Sequence, residues 1–361
     1  MYSNPYKNLE NPVLRVLHMR LTIFILVAIS FLTCCSKPET TYGEVVYKPK
    51  YAVGFEIFKQ SDTTTLVTKN PWQGAQNIDK IYRFTKPHPS LICMSSSHTA
   101  FLDALGADSV VVGVSGAKFI FNQKHKNKPD IGFDNNLSIE TIVALKPSAM
   151  TVYEVSGATT SQNDKLESLS VPVIYIADYL EQSPLARAEW IVAFGALTGQ
   201  MEKAVKTFNQ IEANYISQKA KSETMQKIRV MLNTPYRDVW YAAGDSSYIV
   251  RLINDAGGEY VVENSKPGQP ISLETAYRLL AETDLWLHPS AQIQSKKQLF
   301  EENPRFKQFD IPVFTNMRRT TAGGGSDFWE SAVVRPDIVL QDLVKIFKKD
   351  TTNLYYYNEL Q

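Results

Sequence analysis

Two runs of short apolar segments alternating with helical ones flank a long amphipathic stretch, and this arrangement constrains the 361-residue chain more than any other feature. In the first run, Leu91–Met94, Val110–Val114, Ala149–Tyr153 and Val173–Ile176 read as strands. Helices over Thr99–Leu105, stopped at Gly106, and Ile139–Leu145, stopped before Pro147, separate them. The second run places strands at Ile228–Leu232, Leu285–Leu287 and Val313–Phe314. Its helices cover Tyr248–Ala256, Leu273–Leu280 and Val334–Phe347. Strands alternating with helices pair in parallel and make an α/β lobe. Between the runs, Trp190, Phe194, Leu197, Met201, Val205, Phe208, Ile211 and Tyr215 recur at spacings of three and four, which is one apolar helix face. The spacing predicts a single helix over residues 184–222, about 55 Å long at 1.5 Å per residue. The expected fold is therefore α/β, two lobes bridged by one long helix. A small N-terminal β-hairpin extension is expected from the runs Tyr51–Phe58 and Thr63–Thr68.

The two halves echo one another. Leu137-Ser138-Ile139-Glu140-Thr141 is matched by Ile271-Ser272-Leu273-Glu274-Thr275, and Phe101–Ala107 by Val250–Gly258. Solenoid repeats are about 20–50 residues long, so a recurrence over half a chain indicates related lobes instead.

The N-terminus reads as an address. Met19-Arg20 opens an uncharged run, Leu21–Leu32, shorter than the roughly 20 residues a membrane span needs. A basic start, a short apolar stretch and small residues make a secretory signal, with Met19 as an alternative start to Met1. Leu32-Thr33-Cys34-Cys35-Ser36 resembles a bacterial lipobox, with Cys35 the expected lipid acceptor and Cys34 the alternative. The expected segments are 1–35, signal and lipidation site; 36–85, tether and hairpin; 86–183, N-terminal lobe; 184–222, bridging helix; 223–350, C-terminal lobe; and 351–361, tail. Cys93 alone remains in the body, so no internal disulfide or thiolate zinc site forms there; its apolar run reads as core. The net charge of +1 lacks the basic excess of a nucleic-acid binder.

Ser97-His98-Thr99-Ala100-Phe101-Leu102-Asp103-Ala104-Leu105-Gly106-Ala107, then Val111–Ser115, resembles the opening of the helical-backbone class of periplasmic binding proteins. Ser138–Pro147 and Val171-Pro172-Val173 are similar to its next motifs. Residues 184–190, 233–240 and 323–336 resemble a Bacteroidetes branch of that class. The resemblance spans residues 80–348. It implies two Rossmann-like lobes, capture of a ferric siderophore, haem or vitamin B12, and delivery to an inner-membrane ABC permease. It further implies a monomer held at a periplasmic membrane face by lipid, with no catalysis. The ligand would be an Fe(III) chelate, with a corrinoid or haem as the alternative, and no cofactor is intrinsic. Glu140 and Glu274 match the glutamates with which each lobe of this class docks onto permease arginines; as helix-start residues they also favour the helix dipole or complete a capping box.

In open α/β sheets ligands bind beyond the carboxyl ends of strands, which selects the candidate residues. In the first lobe these are Ser96 and His98 at a helix start, Lys118, Tyr153 and Glu154. The second lobe offers Tyr236, Arg237, Trp240, His288, Arg318, Arg319 and Trp329. Arginine forks grip anionic oxygens, and aromatic rings supply flat apolar area. His98, Glu154 and His288 have metal-ligand types but come from distant segments. Gly323-Gly324-Gly325 is not a phosphate loop, since no Gly-Lys-Ser/Thr follows; it reads as backbone turning tightly beside a ligand. No G-x-S-x-G elbow accompanies the serines and His98, so a hydrolase is not indicated.

Overall fold

The computed structural model describes residues 42–134, 136–155, 157 and 160–361. The signal and the lipid site Cys34/Cys35 lie outside these residues. Residues 45–361 form one compact unit.

Two parallel sheets carry the two lobes. In the first, β5 (Leu91–Cys93), β6 (Val111–Val114), β7 (Ala149–Val152) and β8 (Val173–Tyr175) lie in the order β6-β5-β7-β8, every pair parallel. In the second, β9 (Ile228–Leu232), β11 (Gly258–Tyr260), β13 (Leu285–Leu287) and β14 (Val313–Thr315) lie in the order β11-β9-β13-β14. The lobes thus share one strand order, second-first-third-fourth, which is the structural form of the sequence echo. Helix starts repeat as well. Ser138 Oγ accepts from Thr141 N at 3.4 Å and Ser272 Oγ from Thr275 N at 3.1 Å. The residue three after each cap is threonine, so neither end is the capping box that Glu140 or Glu274 was expected to complete.

The connector departs from expectation. Residues 184–222 form three helices, Pro184–Glu189, Ile191–Leu197 and Met201–Ser222, instead of one. Gly199 takes φ +70, the left-handed conformation that ends a helix and that side-chain-bearing residues avoid. Gly195 then lets the third helix pack back, since a Cβ there would collide with the Ala204 methyl. The last helix, about 33 Å long at 1.5 Å per residue, still bridges the lobes. Its Ala204, Phe208 and Ile211 lie in the first lobe's core, while Tyr215 lies in the second's.

The expected hairpin is part of a larger sheet. β2 (Phe55–Gln60) and β3 (Thr63–Lys69) pair antiparallel around Ser61-Asp62, β4 (Asp79–Phe84) pairs antiparallel with β3, and β1 (Glu44–Tyr47) lies beside β2 in the order β1-β2-β3-β4. Residues 47–54 strap this sheet to the connector. Glu189, fully buried, accepts from Tyr47 Oη at 2.8 Å and from the amides of Lys50, Tyr51 and Ala52 at 2.7, 2.7 and 2.8 Å. Glu181 accepts from the Val53 and Gly54 amides and from Trp190 Nε1. Gly54 fits because its missing Cβ would stand 2.7 Å from the Trp190 ring. Residues 351–361, expected as a tail, are built into the second lobe instead. β15 (Asn358–Glu359) pairs antiparallel with β14, and Tyr356 and Tyr357 are buried.

Candidate functional site

The shared strand order places a topological switch point between β9 and β13, where the chain leaves in opposite directions and a crevice opens. A cavity of about 550 Å³ lies there, within the 300–1,000 Å³ range of ligand clefts. The segment after β9 supplies Asn233, Thr234 and Tyr236; the one after β13 supplies His288 and Ser290; the one after β14 supplies Asn316, Phe328 and Trp329. Tyr236 and Trp329 are 66% and 57% exposed, so flat apolar area stands ready for a ligand.

Arg187, from the connector, is the one basic side chain in this lining. Its guanidinium already donates to the Glu181 and Tyr179 carbonyls at 2.9 and 2.7 Å and lies 4.6 Å over the Tyr248 ring. His288 sits at φ +55, with Nε2 2.7 Å from Tyr357 Oη. Burial lowers its pKa to about 3, so the imidazole is neutral at the cleft wall.

Residues 91–310 match the family model of periplasmic binding proteins. The chain belongs to this family. Two uncharacterized lipoproteins of Methanocaldococcus jannaschii are 26% and 25% identical over 72% and 63% of the chain; the chain spans 65% and 61% of their lengths, less than two thirds. Three solved structures share the fold. A possible iron-binding periplasmic solute-binding protein from Staphylococcus epidermidis is 18% identical with TM-score 0.58, covering 72% of this chain and 98% of its own. A periplasmic heme binding protein from Pseudomonas aeruginosa is 17% identical with TM-score 0.56, covering 76% and 98%. The petrobactin-binding protein of Bacillus subtilis is 16% identical with TM-score 0.54, covering 80% and 99%.

Of the residues that the sequence singled out in this periplasmic binding protein, the cavity brings together Tyr236, His288 and Trp329. The others lie elsewhere. Trp240 is a core residue with no exposure, its indole N–H donating to the Leu232 carbonyl at 2.9 Å. Arg319 is held by Asp327 at 2.6 Å and sandwiched between the rings of Phe121 and Tyr355; it faces a different cavity, of about 510 Å³. Arg237 is exposed over Tyr236 at a turn tip with φ +57, and Arg318 is exposed. Neither lines the cleft.

The first lobe behaves similarly. His98 is fully buried, with Nδ1 3.0 Å from Thr151 Oγ1, and burial lowers its pKa to about 3. Glu154 is 3% exposed and closes its own turn by accepting from the Gly157 amide. Ser96 is partly exposed at the helix start, next to the Ser95 cap. Lys118 is exposed, with its carbonyl taken by Thr321. Tyr153 is half-buried beyond β7, edge-on to Tyr179. No group of three metal-ligating side chains forms among the described residues, and His98, Glu154 and His288 do not converge. The glycine run packs against first-lobe backbone, Gly323 on the Lys118 carbonyl and Gly325 on that of Phe119, so its tightness serves a contact between lobes.

Sequence reasoning missed Arg187, Asn233, Thr234, Ser247, Tyr248, Ser290 and Asn316. The rule that found Tyr236 and His288 reaches Asn233, Thr234 and Ser290, which follow the same strands. Arg187 gave no signal, since it sits among the apolar positions of a connector helix.

Proposed function

We propose that this protein is the lipid-anchored substrate-binding component of an ABC importer. It captures a metal chelate of the ferric-siderophore kind between its lobes and hands it to an inner-membrane permease, catalysing no reaction and holding no intrinsic cofactor. The observation that carries the reading is the cleft at the β9/β13 switch point, walled by Tyr236, Tyr248, Phe328 and Trp329 with a fringe of amides and hydroxyls. Two of the similar structures are named for binding haem and petrobactin, which supports a metal-chelate class of ligand. The lining narrows the chelate. A buried charge without a partner is costly, and the lone guanidinium there is already engaged. A chelate of low net charge with exposed apolar faces, such as a ferric hydroxamate, therefore suits the cleft better than a polyanionic catecholate.

A second reading, haem or a corrinoid, is favoured by His288, since a neutral imidazole is the metal-ligating form. Tryptophan fluorescence titrated with a ferric hydroxamate, a ferric tris-catecholate, haemin and cyanocobalamin separates the readings. Saturable quenching is expected from the hydroxamate and weaker quenching from the catecholate. Saturation by haemin or cyanocobalamin alone moves the assignment to the second reading, and no saturation by any of them removes both.

Periplasmic placement and the anchor rest on the N-terminal address and on the lipoprotein relatives. Replacing Cys35 with Ser is expected to release the protein to the soluble fraction. If Cys34→Ser alone releases it, Cys34 is the lipid acceptor; if neither Cys35→Ser nor Cys34→Ser releases it, the lipoprotein reading fails. Docking is proposed for Glu140 and Glu274, both exposed in the first turn of equivalent helices.

A further inference from the structure

The turn that carries the cleft wall also carries a contact to the other lobe. Phe328 and Trp329 line the 550 Å³ cleft, whereas Asp327 and Glu330 line the separate cavity of about 510 Å³ between the lobes. Glu330, 2% exposed, accepts from two first-lobe amides, Phe121 N at 2.6 Å and Asn122 N at 2.9 Å. The neighbouring loop locks in beside it. Thr321 Oγ1 donates to the Lys118 carbonyl at 3.1 Å, and the Arg319 guanidinium lies 4.7 Å from the Phe121 ring centre.

We propose that Glu330 is a positioning residue, a proton-sensitive latch that sets the register between the second-lobe cleft wall and the first lobe. It is buried against another lobe, yet among the described residues no lysine or arginine forms an ion pair with it. The charged and titratable groups around it are Asp327 on its own turn, Asp103 on the first-lobe helix, and Arg319, Arg335, Tyr355 and Tyr356 across the cavity. Arg319 is taken by Asp327 and Arg335 by Asp337, while Asp103 is held by His125 and Asn122. Two further acids and no free cation make burial of an ionised Glu330 costly. Burial, with repulsion from Asp327 and Asp103, pushes its carboxyl up to about 7.

The sign follows from linkage. When the lobes part, Glu330 meets water and returns to its ordinary value of 4.5. The latched state binds the proton more tightly, so acid favours it. The latch is at full strength below 4.5 and weakens as the pH rises through 7.

The test needs no ligand, so its outcome is independent of whether a chelate is the cargo. Amide hydrogen exchange of the full chain is followed in peptides spanning residues 118–126 at pH 5.5 and 8, corrected for intrinsic exchange and referenced to peptides from the Pro336–Phe347 helix. Protection of the Phe121 and Asn122 amides should fall on the order of tenfold from pH 5.5 to 8. In Glu330→Gln, which is permanently neutral, it should be the same at both, while His125→Gln should keep the wild-type slope. Flat protection in the wild type overturns the proposal, as does an unchanged slope in Glu330→Gln or a slope lost in His125→Gln. Should Glu330→Gln fail to fold, the wild-type profile and the His125 control decide.

Discussion

Replacing Glu189 with Gln tests how the N-terminal sheet is held. The carboxylate is fully buried and serves four donors, Tyr47 Oη and Lys50 N on Oε1, Tyr51 N and Ala52 N on Oε2. An amide keeps one acceptor oxygen and turns an NH₂ toward two donors, so two charge-assisted bonds are lost. Each is worth about 1.5–3 kcal/mol. Lys50 N and Tyr51 N lie nearer solvent and recover part of this through water, which leaves a loss of roughly 3–5 kcal/mol, a large share of the about 5–15 kcal/mol that holds a domain folded. A body of residues 45–361, at about 2.1 cal/mol/K per residue, shifts by about 1.5 °C per kcal/mol, so the melting temperature should drop by roughly 4–8 °C. Limited proteolysis should also cut within residues 47–54 sooner. A melting temperature within about 2 °C of wild type, with unchanged cleavage, would refute the clamp.

The lining of the cleft gives a pair of opposite expectations. Trp329→Ala should weaken chelate binding by about 1–3 kcal/mol, through loss of apolar contact area, whereas Arg319→Ala should leave intrinsic affinity within about 0.5 kcal/mol; fluorescence titration of both checks it. The double variant Glu140→Ala, Glu274→Ala should bind ligand normally yet stimulate the transporter ATPase less. Exposed ion pairs are worth about 0–1 kcal/mol each, so single changes are expected to be nearly silent. His98 titrates at about 3 when folded against an ordinary value of 6.5. Its contribution is complete above 6.5 and is lost as the pH falls toward 3, on the order of 3 kcal/mol at pH 4. Urea denaturation at pH 7 and 4 should show wild type losing on the order of 3 kcal/mol more than His98→Asn, because Glu330 and the other groups titrate alike in both and cancel in the difference.

The lobes were legible because strands buried on both faces must be apolar throughout, as Leu91–Cys93 and Leu285–Leu287 are, and short enough to stand out between helices. The connector was misread because its apolar stripe stays in phase across both breaks, at Trp190 and at Thr198-Gly199-Gln200; Gly199 marked only the second, and periodicity does not register a single turn. The strand-end rule selected Tyr236, His288 and Trp329, which line the cleft. The arginines it selected do not line that cleft, because a sequence shows charge and not who neutralises it. Arg319 meets Asp327 only once the 320–326 loop folds back. Trp240 was misplaced for a related reason, since an aromatic residue after a strand looks the same whether the chain turns it toward the cleft or toward Trp286.

The strap of residues 47–54 settles where a pull from the N-terminal side enters the body. Its carboxylate partners are Glu189 in the connector and Glu181 just before it, while Ala52 and Phe55 lie in the first lobe's core, so tension along the leading segment reaches the pivot and the first arm. A pull entering there is borne by the pivot and the first arm, and the second arm, which carries the cleft wall, takes it through the pivot.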